Sequence, residues 1–200
     1  MSFFKKIFGT ANDGPTDEKK AEQSPFNPEK EIPVDELFTF NFKKNGGKFI
    51  YCDNPAEVHD QFLNILEEND WFECEVLCFE PKLYTLLDEN KLVYNRPSQP
   101  RFLLASCENL IADEGSVLLS SNQIKHHKPN DLPVNIVIYA TTSQLLHSKS
   151  DGLREIKKRY DREYPTNITT IKYFDKAKEE DFLQYGSSAK NLYLLLLEDL

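Results

Sequence analysis

At 200 residues, 40% hydrophobic and 12% aromatic, the chain can build one domain with a sizeable core and is too apolar for a disordered polymer. Its formal net charge of −9, with no basic stripe, excludes general nucleic-acid binding, because neutralising phosphates takes clustered Lys and Arg. No apolar run reaches the roughly 18–20 residues of a membrane span, and the start lacks the apolar core of a secretory signal. The chain therefore reads as cytosolic, with Cys52, Cys74, Cys78 and Cys107 as reduced, core-packing thiols rather than a metal or disulfide set.

Residues 1–8 form a short basic-aromatic patch, Met-Ser-Phe-Phe-Lys-Lys-Ile-Phe. Residues 9–33 hold Pro, Gly and charge with almost no apolar period. Together they read as a flexible N-terminal tail, residues 1–33, able to dock a partner or a membrane surface. An ordered domain then spans 34–200. Leu37, Phe38, Phe40 and Phe42 line a short helix or an extended lead-in, closed by an Asn45-Gly46-Gly47 turn.

Residues 48–52 are a strand by aromatic and β-branched content. Asn54-Pro55-Ala56-Glu57 starts a helix, with Asn as cap, Pro in the first position and Glu in the third. That helix places Val58, Phe62, Ile65 and Leu66 on one face. A second strand is expected over 75–79, a helix from Pro81, a loop over 90–100 and a strand over 101–106.

Residues 109–112 and 116–120 read as a hairpin through Asp113-Glu114-Gly115, with Gly115 taking the unusual backbone angle. Residues 134–140 are nearly all apolar, as in a strand buried on both faces. A short helix over 142–146 and a longer one from Asp151, with Leu153, Ile156 and Tyr160 inward, follow. Residues 168–174 are a strand, 178–185 a short helix, and 192–197 the last strand. Stretch 108–140 thus forms the centre of an α/β domain, a largely parallel sheet carrying an antiparallel insertion. Ligands of such sheets bind outside the carboxyl ends of the strands. Here those ends are Cys52-Asp53, Ser106, Ala140-Thr141-Thr142 and Ser120-Ser121-Asn122.

Three places carry chemistry. Glu114, beside Gly115 and Ser116, is a candidate nucleophile or general base, although Asp and Gly are also ordinary turn residues. Ser120 and Ser121, before the basic loop Lys125-His126-His127-Lys128, present hydroxyls and positive charge to an anion, or simply form a polar surface loop. Gly186-Ser187-Ser188 and Asn45-Gly46-Gly47 are candidate anion nests, or plain turns. His59 and His147 are isolated and read as helix-surface residues. No metal-ligand spacing, dinucleotide fingerprint or catalytic triad is present, so no metal and no cofactor is expected.

Asn109 to Ser121, Asn-Leu-Ile-Ala-Asp-Glu-Gly-Ser-Val-Leu-Leu-Ser-Ser, with Leu132-Pro133-Val134-Asn135-Ile136-Val137-Ile138, resembles the LUD domain of lactate-utilisation proteins, specifically the small C-type member. The family pattern there is close to Ile-Ala-Glu-Thr-Gly-Thr-Leu-Val-Leu and Leu-Pro-Pro-His-Ile-x-Val. The resemblance spans residues 35–200. It implies the sandwich fold of ribose-5-phosphate isomerase, CoA-transferase and formyltetrahydrofolate cyclo-ligase. It also implies an accessory role in oxidising L-lactate to pyruvate beside iron–sulfur partner subunits.

On that reading a small anionic metabolite sits near Glu114, Gly115, Ser116, Ser120 and Ser121, with Asn45 to Gly47 alongside and Gly186 to Ser188 as the far wall. The chain departs from the family where Gly-Pro-Ser-x-Thr-Ala-Asp-Ile is replaced by Asp175-Lys176-Ala177-Lys178-Glu179-Glu180-Asp181. It departs again where His-Gly-Pro is replaced by Tyr185-Gly186-Ser187-Ser188. The alternatives are a non-catalytic interaction or regulatory protein on the same fold, docking through its tail, and an independent hydrolase or isomerase using Glu114.

Overall fold

The computed structural model describes residues 32–174 and 190–200. Most of the expected tail, the expected helix over 178–185 and Gly186, Ser187 and Ser188 lie outside these residues.

Helix α1, Val34–Lys44, settles the lead-in as helical: Phe38 and Phe42, four apart, stack at 5.2 Å and face inward. Acidic Asp35 and Glu36 open it and Lys43 and Lys44 close it, as the helix dipole favours. After a turn at Gly46 (φ 87°) comes β1, Lys48–Cys52. Helix α2, Pro55–Asn69, starts as its sequence dictates: the Asn54 side chain accepts from the Glu57 backbone N–H, and Val58, Phe62, Ile65 and Leu66 are buried.

Strand β2 is only Val76–Leu77, shorter than expected. Glu75 before it makes a single bridge, with Val93, while its carboxylate accepts from Ser98 N and Gln99 N. A 3-10 turn, Pro81–Leu83, leads into α3, Tyr84–Glu89. Then follow β3, Phe102–Ser106, β4, Asn109–Ile111, and β5, Ser116–Ser120, all buried throughout. The four-residue α4, Ser121–Ile124, precedes β6, Asn135–Thr141. The expected helix after β6 is instead a 3-10 turn, Thr142–Gln144, running into β7, Leu145–Leu146, which pairs with β4.

Helix α5, Lys149–Tyr160, starts two residues earlier than Asp151, because Ser148 caps it and the Asp151 carboxylate returns to the Ser148 N–H. Its inward residues are Gly152 and Ile156, while Leu153 faces out at 37% exposure. β8, Ile168–Ile171, ends early: the chain then turns so that Phe174 N–H donates to the Asn45 carbonyl. β9, Asn191–Leu197, closes the fold.

The strands form two sheets. One is five-stranded in the order β1-β9-β6-β3-β2, and every neighbouring pair is parallel. The other is four-stranded, β7-β4-β5-β8, with antiparallel β4–β5 and β5–β8 pairs. The architecture is therefore α/β, but the hairpin builds a second sheet rather than interrupting the first. Of stretch 108–140, β6 alone holds the centre of the parallel sheet.

Side chains alternate along each parallel strand, as the strand period requires. Leu103, Ile136, Ile138, Leu192 and Leu194 face α1 and the second sheet. Phe102, Leu104, Val137, Tyr193 and Leu195 face α2 and α3. Among the described residues no helix is long and apolar enough to cross a membrane.

Candidate functional site

The hairpin and the Asn45 turn come together at the end of α1. Asn45 Nδ2 donates to the carbonyls of Glu114 (2.7 Å) and Gly115 (3.2 Å), and Asn41 Nδ2 donates to those of Ala112 (2.9 Å) and Asp113 (3.3 Å). Gly115 sits at φ 59°, and a Cβ there would lie 2.3 Å from the Asn41 carbonyl carbon. Only glycine lets the turn press this closely on a helix backbone. Gly47 is likewise packed, since a Cβ there would meet the Phe42 ring at 2.4 Å.

Glu114 is half-buried and accepts from the Ser116 hydroxyl at 3.2 Å. Asn45, Gly46, Gly47, Glu114, Gly115 and Ser116 thus form one group. Ser120 and Ser121 stand at the other end of β5, about 13 Å away at about 3.3 Å per residue.

Ser120 belongs to a different construction. Glu108, fully buried, accepts from Ser120 Oγ (2.5 Å), Gln123 Nε2 (3.1 Å), Arg159 Nη1 (3.1 Å) and the Tyr160 hydroxyl (3.0 and 3.1 Å). The Ser120 hydroxyl also accepts from Asn122 N–H and starts α4. Ser121 Oγ accepts from Thr166 N–H. With this many donors, the Glu108 carboxylate is satisfied inside the protein, and the cluster ties α4 and α5 to the second sheet. Lys125 to Lys128 lie outside it; there His126 and His127 stack at 4.7 Å, with Phe79 at 5.6 Å from His127.

All five parallel strands end at one edge. The connection leaving β1 runs through α2 over one face, whereas those leaving β3 and β6 run through the second sheet on the other. The edge therefore opens between them, where α/β sheets hold ligands. Asp199 there accepts from Ser143 N–H (2.8 Å), Ser143 Oγ (2.6 Å) and the Thr142 hydroxyl (2.9 Å). Burial opposes the charge of Asp199, but the hydrogen bonds from Ser143 and Thr142 outweigh it and hold the carboxyl below its usual range. Glu80 accepts from Ser106 N–H and Oγ, both at 2.6 Å.

Beside these groups is a cleft of about 380 Å³ between the start of α2 and the segment entering α3, with Tyr139 of β6 as its floor. Val58, Leu83 and Leu86 supply apolar wall. His59 and Lys82 supply donors, and each already faces a carboxylate: His59 Nδ1 lies 2.6 Å from Glu89 and Lys82 Nζ 3.3 Å from Glu80. The Tyr139 hydroxyl has no hydrogen-bond partner among the described residues. Burial first, then the nearby Asp199 and Cys52, push its pKa up, so it stays a protonated donor. Burial also pushes Cys52 up to about 12 and Cys78 to about 11, which leaves these thiols protonated and unsuited to nucleophilic attack.

Sequence reasoning placed this edge at Cys52-Asp53, Ser106, Ala140-Thr141-Thr142 and Ser120-Ser121-Asn122, the last of which follows a strand of the second sheet; it read His59 as a helix-surface residue and passed over Lys82 and Tyr139. Position alone joins those three, since each lies on a different element. One signal was legible: Tyr139 is a polar-tipped aromatic near the carboxyl end of an otherwise aliphatic strand.

No family model matches the chain, and no curated protein matches it. Among solved structures, a DUF162 family protein from Deinococcus radiodurans is similar, with a TM-score of 0.59 and 10% identity. The match covers 83% of this chain and 96% of that one. The likeness is one of fold, and DUF162 is related to the LUD domain.

Proposed function

We propose that this chain is a metabolite-binding accessory protein of L-lactate utilisation, acting in the cytosol beside iron–sulfur partner subunits and holding a small organic carboxylate in the cleft at the carboxyl edge of the parallel sheet. The carrying observation is Tyr139, whose hydroxyl has no hydrogen-bond partner among the described residues, lining a cleft flanked by Lys82 and His59. The hairpin resemblance over 109–138 and the fold likeness support the pathway. Apolar wall with a few converging donors is the usual make-up of a small-molecule site. Glu80 keeps two hydrogen bonds from Ser106, so Lys82 can turn from it to a ligand carboxylate without leaving Glu80 bare. Tyr139 donates the second bond. No reaction follows from these groups, and the role is one of binding.

The test is thermal unfolding with L-lactate and pyruvate as probes. Ligand at about 100 times its Kd adds roughly 2.7 kcal/mol of stability, and Lys82→Ala is expected to reduce that shift. No shift with any carboxylate overturns the reading. Loss of the shift in Glu114→Gln but not in Lys82→Ala moves the site to the hairpin and overturns the cleft assignment.

A further inference from the structure

We infer that the cleft selects an amphipathic monocarboxylate with an apolar body longer than that of a three-carbon acid, in preference to a three-carbon acid or a phosphate. The inference rests on the cleft reading alone, not on the lactate pathway, and names as the preferred ligand an acid larger than lactate. Three features argue for it together: the apolar wall of the cleft, the distribution of its polar atoms, and the charge already present around it.

The apolar wall decides against a three-carbon acid as the best occupant. Such an acid carries one methyl group, whereas the cleft of about 380 Å³ presents Val58, Leu83 and Leu86. Most of that wall would stay wet, where a longer apolar body gains by displacing the water. A longer chain reaches that wall while its head stays with Tyr139 and Lys82.

Charge decides against a phosphate. The two cations of the cleft are each matched by a carboxylate, Lys82 by Glu80 and His59 by Glu89, and Asp199 stands close enough to Tyr139 to raise its pKa. A doubly charged group would meet three carboxylates with no surplus positive charge. A single negative charge needs only the Tyr139 hydroxyl and one displaced ammonium contact. The position of the donors also matters. Lys82 and His59 keep 61% and 41% of their side chains exposed and stand at the mouth, whereas Leu83 and Leu86 are buried along the wall.

The full-length protein is titrated by calorimetry with lactate, butyrate, hexanoate and inorganic phosphate. Affinity is expected to rise about fourfold per methylene, the fold-change that about 0.8 kcal/mol per buried CH₂ corresponds to, and so about fifteenfold from butyrate to hexanoate. Thr85→Trp places a ring into the cleft from an exposed position and is expected to abolish hexanoate binding. Circular dichroism checks that this variant is folded; if it is not, Tyr139→Phe replaces it, with about tenfold weaker hexanoate binding expected. Lactate binding as tightly as hexanoate, or phosphate more tightly, overturns the inference and leaves the cleft reading standing. Hexanoate binding undiminished in the folded blocking variant puts the ligand elsewhere and overturns both, as does binding of no acid at all.

Discussion

Each central strand of the five-stranded sheet sends apolar side chains to both faces. One face closes on α1 and the second sheet and the other on α2 and α3, each through a large continuous cluster. The four-stranded sheet has one such face. Val117, Leu119 and Leu110 join the core it shares with the parallel sheet, but toward α5 the apolar contact is smaller: Ile111, Leu118 and Ile156 are buried, with Leu146, Tyr160 and Ile168 packed against them. Gly152 permits it, since a Cβ there would stand 3.0 Å from Ile111 and Leu118. The rest of that outer interface is the polar cluster on Glu108. The parallel sheet is thus held by area removed from water, which is non-directional. The outer face of the second sheet depends on a few hydrogen bonds whose geometry has to be right, so single substitutions there should weigh more.

Glu108→Ala is the strongest test of that difference. It leaves Arg159, Tyr160, Ser120 and Gln123 without their common acceptor; Arg159, 38% exposed, can turn to water, but a buried donor left unsatisfied, as at Ser120 and Gln123, costs about 1–3 kcal/mol. Urea unfolding should show that loss. A change under about 1 kcal/mol would mean that the apolar contact alone holds α5.

Gly115→Ala tests the joint between the sheets. The residue is left-handed, and its added Cβ meets the backbone of α1. A destabilisation of about 2 kcal/mol or more is expected, again read by urea unfolding. Full stability would require the hairpin to move off Asn41 and Asn45, which amide exchange at Gly115 and Ser116 would reveal.

The smallest effect lies at the carboxyl edge of the parallel sheet. The folded-state pKa of Asp199 is depressed. Its contribution is therefore present above the ordinary aspartate value, about 3.9, and is lost as pH falls through the lower folded value. Ser143→Ala removes the hydroxyl donor and should move the Asp199 titration upward, toward about 3.9, in carboxyl NMR. An unmoved titration would show that Thr142 and the backbone suffice.

Local chemistry made much of the fold legible. Asn54, Pro55 and Glu57 announced α2 because a cap acts on its own next three residues. Gly115 announced the tight turn because the left-handed backbone excludes most other residues. The aliphatic run at 134–140 announced the central strand.

The candidate site was less legible. Asn45 and Glu114, separate features by spacing and joined only by the resemblance, are neighbours. Ser116 and Ser120, which the resemblance placed in one site, face different partners at the two ends of β5. Glu108 drew no notice because its acceptor role depends on Arg159 and Tyr160, some fifty positions later.

By itself the sequence determined the α/β class, most strands, the capped helix and the hairpin, since these follow from periods of two and 3.6 and from backbone angles within a few residues. Only the tertiary structure decided that the hairpin seeds a second sheet, that Glu108 is saturated, and that His59, Lys82 and Tyr139 share a cleft. Those facts depend on which apolar faces meet across the chain, and hydrophobic packing carries no local signature of its partner.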